Sequence, residues 1–174
     1  MAAAEAAKAA GLLFIAGVVQ ATLVSGVIVF GGAPDLLLVT LVAVALLRGS
    51  LAGAVGGFFA GLVLDTATLS TLGLSSLLLT LAGYWIGRYG ETTGRDRGHA
   101  PFVSVGVVTV LYALGSLLLH FVLGEPAPAR AVLIDGLLPA VALNLLLAAP
   151  VYAVARRVLR PVSWNRTSEV RLLG

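Results

Sequence analysis

No cysteine occurs in the 174 residues, which excludes disulfides, thiolate nucleophiles and the usual zinc clusters. Charge is almost as scarce: Asp, Glu, Lys and Arg make up 11% of the chain, against 59% hydrophobic residues. With a mean hydropathy of +1.05, the chain carries more apolar surface than a soluble domain of this length can bury. It is expected to be an all-α polytopic membrane protein. The formal net charge of +3 does not point to nucleic acid, because the arginines stand in loops between apolar runs and form no basic helix or aromatic-interleaved patch. Histidine is limited to His99 and His120, and no His or carboxylate pair stands at i, i+3 or i+4 within a span, so no metal or cofactor is expected. Ser70, His120 and Asp65 are the nearest approach to a nucleophilic triad, and their spacing supports none.

What is abundant is apolar sequence in runs of helical length. The N-terminal run is too long for a signal-peptide core and has no polar stretch after a cleavage site, so it is read as a retained first helix. Six spans are expected, at about residues 10–30, 35–47, 51–64, 72–88, 102–123 and 134–158. The first ends at the breaker Gly31-Gly32-Ala33-Pro34, and Pro34 suits the first turn of the second. Spans two and three are short, leaving two arrangements open: both cross with Arg48 snorkelling, or the pair forms a re-entrant hairpin among the other helices. Tyr84, Trp85 and Tyr89 beside Arg88 mark a membrane boundary after span four, followed by a hydrophilic loop at residues 90–100. In span six, Pro139 and Pro150 are each expected to remove a backbone hydrogen bond, and Asn144 is an intramembrane amide that needs a partner. Residues 1–160 are thus expected to form one transmembrane domain, and 161–174 a basic tail.

Small residues recur with a strict period. Gly49, Gly53, Gly57 and Gly61 stand every fourth residue, which in a helix aligns them on one face, with Asp65 as the next position. Ala52, Gly56 and Ala60 make a second small ridge beside it. Such a stripe admits a close helix neighbour, either from the same bundle or from a partner.

Cation asymmetry gives the orientation. Lys8, Arg48, Arg88, Arg95, Arg97, Arg156, Arg157, Arg160, Arg166 and Arg171 share one side of a six-span layout, while the other holds Arg130 with Asp35, Asp65, Glu125 and Asp135. Both termini are therefore expected in the cytoplasm.

The run PDLLLVTLVAVALLRGSLAGAVGGFFAGLVLDTATLSTLGLSSLLLTLAGYWIGR, residues 34–88, resembles the rod shape-determining protein MreD family. The resemblance rests on Pro34-Asp35 at the head of span two, Leu-Leu-Arg48-Gly49 after it, and the glycine-rich segment with Gly57 and Gly61 leading to Asp65 and then Leu72-Gly73. The sequence departs from the family at Thr66-Ala67-Thr68-Leu69-Ser70-Thr71, where a glycine-rich turn is common. The resemblance implies a non-enzymatic scaffold in the bacterial cytoplasmic (inner) membrane. It would belong to the cell-elongation machinery for peptidoglycan synthesis, holding the bitopic protein MreC and working with the glycan polymerase RodA, its transpeptidase and MreB filaments. The family is similar in fold to the substrate-binding S components of energy-coupling vitamin transporters, so a small-solute transporter subunit is the alternative. On either reading Gly49, Gly53, Gly57, Gly61, Asp65 and Gly73 are helix-packing or partner-binding positions. Pro34, Asp35 and Arg48 mark span ends, and the cationic loop and tail are read as positive-inside anchors, with contacts to filaments or to anionic membrane lipid as the alternative.

Overall fold

A computed structural model describes residues 2–24, 26, 31–69, 71–93, 99–124 and 136–159. Arg95, Arg97, Arg130, Glu125, Asp135, Ser70 and the tail 161–174 lie outside the described residues. The described residues contain six α-helices and no strand: α1 (Ala2–Val19), α2 (Leu36–Arg48), α3 (Ser50–Thr68), α4 (Leu74–Thr93), α5 (Ala100–Val122) and α6 (Leu137–Val158). α1 runs on into π turns over Gln20–Val24.

α2 is the hub. It is apolar on every side, the pattern of a helix enclosed by others, and Leu37 through Leu47 are all buried. It touches each of the other five helices. At 13 residues it is only about 20 Å long, shorter than a full crossing needs. Among the described residues four helical stretches are long and apolar enough to cross: Ala3–Thr22, Ser50–Thr68, Ala100–Val122 and Leu137–Val158. Large side chains such as Phe14, Phe59, Trp85, Leu118 and Leu146 point outward from the helices around α2. A surface of that kind suits lipid rather than water.

Four expectations about the elements need correction. Span three is not short: α3 is 19 residues long and continues through Asp65 to Thr68, because the carboxylate is received by the next helix instead of by water. Span one begins at Ala2 rather than near residue 10, with Glu5 already helical and held by Lys8 at 2.8 Å and by Arg48 of α2 at 3.6 Å. α4 does not stop at Arg88, but runs to Thr93 through residues expected to be loop, because Glu91 bonds to α3. Pro139 falls in the first turn of α6, where a backbone N–H has no intrahelical acceptor, so it removes no bond; Pro150 does lie inside the helix.

Gly49 alone separates α2 from α3. Its φ of 92° lies where a side chain is strained, and its N–H still closes on Ala45 O at 2.8 Å, so α3 begins directly after the reversal.

Candidate functional site

The glycine ridge of α3 is filled by α4. The two helices run antiparallel, and a Cβ added at Gly53 would collide with the Gly83 carbonyl, at Gly57 with the Leu79 carbonyl, and at Gly61 with the backbone of Ser75 and Ser76. Gly87 is closed in the same way by Gly49 and Ser50. The α4 positions Ser75, Leu79, Gly83 and Gly87 themselves recur every fourth residue; three of the four are small, and at Leu79 the backbone carbonyl meets Gly57. Ser76 Oγ adds a hydrogen bond to Phe58 O at 2.9 Å across it. The second ridge faces α1, where Leu13 lies over Gly56. An apolar groove of about 330 Å³ remains between α1 and α3, with Ala10, Ala52 and Ala60 among its walls.

Both ends of the α3–α4 pair are closed by carboxylates exchanged between the helices. Asp65, 1% exposed, accepts the Gly73 N–H at 2.8 Å and the Ser75 N–H at 3.2 Å, which satisfies donors at the start of α4. Glu91, near the end of α4, accepts the Ser50 N–H at 2.7 Å and the Ser50 hydroxyl at 2.9 Å at the start of α3. Each helix therefore caps the other with the anion that its N-terminal dipole favours. Beyond Asp65 the chain turns through Leu69, which takes the left-handed conformation (φ 53°), and Gly73 (φ 96°).

A second polar cluster surrounds the head of α2. Asp35 is the N-cap, its Oδ1 accepting the Leu38 N–H at 2.8 Å. Its own N–H donates to Asn144 Oδ1 of α6 at 2.7 Å, and Asn144 Nδ2 donates to Thr109 Oγ1 of α5 at 3.1 Å. Gln20, at the π turn after α1, accepts the Leu36 N–H at 2.8 Å and donates to Pro34 O at 3.2 Å. The π turn and α6 therefore satisfy the backbone where the chain enters its buried helix, and α5 holds the Asn144 amide in place. Gly32 packs against Gly136, Pro139 and the Ala140 N at the start of α6.

Tyr112 connects the two clusters. Its hydroxyl donates to Ser75 Oγ at 3.2 Å, and its side chain lines a cavity of about 370 Å³ with Asp35, Thr109 and Asn144. Arg48 stands apart from these groups, at the other end of α2 against Glu5. His120 bonds through Nδ1 to Ser116 O, one turn back on α5. Among the described residues no three His, Asp or Glu side chains gather as a metal site would require.

The comparison that decides the family covers most of the chain: the sequence model described as rod shape-determining protein MreD matches residues 9–162. The chain belongs to the MreD family. No curated protein and no solved structure matches it. The matched region takes in both polar clusters and the glycine rows of α3 and α4, and the family description together with the apolar helices makes this a multi-pass membrane protein concerned with cell shape.

Several residues that build these clusters carry no distinctive signal in the sequence. Gln20, Ser75, Thr109 and Tyr112 are polar residues in or beside apolar runs, a pattern that also fits lipid-facing or interfacial positions, and Glu91 falls in the stretch that reads as hydrophilic loop. The Gly83–Gly87 spacing shows that α4 also carries small residues at the period a close helix contact needs, without naming its partner.

Proposed function

We propose that this protein is a non-enzymatic scaffold of the bacterial cell-elongation machinery in the cytoplasmic membrane. In this role it binds MreC and helps organise RodA, its transpeptidase and MreB filaments. The observation that carries the reading is the family match over residues 9–162. The use of the polar groups supports it. Asp35, Asp65, Glu91 and Asn144 are engaged with backbone or side chains of neighbouring helices, which makes a rigid bundle rather than a reactive centre.

Because α4 fills the ridge of Gly49, Gly53, Gly57 and Gly61, these positions act in the protein's own packing, and MreC docks on another face. Asp65 and Gly73 belong to the same internal contact, while Pro34, Asp35 and Asn144 set the entry to α2. Both termini lie in the cytoplasm on this reading, following the positive-inside rule, so a reporter fused after Gly174 is active only inside.

One observation favours the alternative of a small-solute transporter subunit. The cavity of about 370 Å³ beside Asp35, Thr109, Tyr112 and Asn144 has the size of a small-ligand pocket. Much of the hydrogen-bonding capacity of Thr109 and Asn144 is already used, by Thr109 to Val105 O within α5 and by Asn144 to Thr109 and Asp35, which weighs against it. Purification from native membranes separates the two readings. MreC and RodA in the eluate support the scaffold, whereas an ATP-binding-cassette module and a retained vitamin overturn it.

A further inference from the structure

We propose that the groove between α5 and α6 at the end carrying Arg156 and Arg157 is a binding site for an anionic phospholipid. It is an open cavity of about 530 Å³. Its floor and walls are apolar, including Phe102, Ala149 and Ala153, and its rim carries Arg156, Arg157 and Tyr152. Both arginines are exposed, and among the described residues neither has an ion-pair partner, whereas Arg48 and Arg88 are paired with Glu5 and Glu91.

The position matches the depth of a headgroup. α5 begins its apolar crossing at Ala100 and α6 ends its own at Val158, so the groove opens where both helices leave the hydrocarbon. The first turn of α5 contributes a further attraction. His99 stands at its N-cap without a side-chain capping bond, and Pro101 follows in that turn. The uncapped N–H groups leave a partial positive charge at the same membrane level as the two arginines.

An anion held there meets two guanidinium groups, while an acyl chain lies down the trough past Phe102 and Ala149. A zwitterionic lipid fits the trough equally well but brings its own cation to the rim. The charge complementarity therefore selects the anionic headgroup. The inference requires only that the chain spans a membrane and is independent of the assignment of MreC as partner.

Native mass spectrometry of the purified full chain, in detergent doped with phosphatidylglycerol or phosphatidylcholine of matched acyl chains, tests it. The wild type is expected to retain phosphatidylglycerol about tenfold more than phosphatidylcholine, since each arginine near the surface adds attraction for an anionic lipid. The double variant R156Q/R157Q is expected to lose that preference. Ala153→Phe keeps both charges and fills the groove, and is expected to retain less phosphatidylglycerol. Equal retention of the two lipids by the wild type overturns the proposal without recourse to any variant. That is the outcome if residues 161–174 fill the groove instead. A preference that survives R156Q/R157Q, or phosphatidylglycerol that millimolar inorganic phosphate displaces completely, overturns it as well.

Discussion

Gly57→Ala adds one methyl group at the middle of the α3–α4 contact, and the structure specifies what it meets. The new Cβ would fall on the Leu79 carbonyl, with Thr80 N at 2.9 Å. These are backbone atoms of a helix and cannot rotate away, so α3 and α4 would have to part by on the order of 1 Å to restore van der Waals distance. That displacement also opens the contacts of Gly53 with Gly83 and of Gly61 with Ser76. Overpacking of this kind costs about 1–3 kcal/mol, and an unyielding backbone neighbour puts this site at the upper end. Alanine regains about 1 kcal/mol of helix propensity, so a net destabilisation of about 2 kcal/mol is expected.

The control is the same substitution in α1. Gly11 has nothing within 4 Å of its added Cβ, so Gly11→Ala is expected to gain up to about 1 kcal/mol. Gly56→Ala should fall between, because it meets only side-chain ends, that of Leu13 closely and that of Leu41 at 3.7 Å, and the Leu13 end can move. Thermal or denaturant unfolding of the purified proteins, followed by tryptophan fluorescence, ranks the three. Equal stability of Gly57→Ala and Gly11→Ala would refute the argument that α3 and α4 are in backbone contact.

Asn144→Leu fills the site with an apolar side chain but leaves the Asp35 N–H without its acceptor, and a loss of about 1–2 kcal/mol in the same unfolding measurement is expected. Asp65→Ala and Glu91→Ala each uncap one end of the α3–α4 pair and should cost about 1–2 kcal/mol apiece. Because the caps stand at opposite ends of a 19-residue helix, the double variant is expected to equal the sum of the singles; a large departure would mean that the pair does not stay docked when one end opens. Leu69→Gly relieves a left-handed leucine whose side chain is 92% exposed, and a gain of about 1 kcal/mol is expected. Unchanged or lower stability of Leu69→Gly would show that the leucine makes a contact worth more than its strain.

The location of the apolar segments was legible because a membrane helix must satisfy its backbone internally and show hydrocarbon outward, which leaves long uninterrupted runs. α5 illustrates this: its expected and observed limits agree within two residues. Ends set by capping partners from other helices were less legible. α4 runs past the expected boundary at Arg88 because Glu91 reaches Ser50, 41 residues earlier in the chain. The same holds for the entry to α2, where the acceptor for the Asp35 N–H comes from a residue 109 positions away.

The sequence by itself determined that the chain is helical and apolar, that its small residues form a row along one face of α3, and that its N-terminal run forms a helix. These follow from composition and from periods of three to four residues, both of which are local. Only the tertiary structure decided what occupies that row. Small residues state that a backbone can approach and do not say which one, and the docking of α4 turned an open alternative into an internal contact. It also decided that the short helix α2 is the centre of the bundle. A 13-residue apolar run is too short to cross by itself, and its place depends on Gln20, Thr109 and Asn144, which come from three other parts of the chain to complete the polar groups at its head.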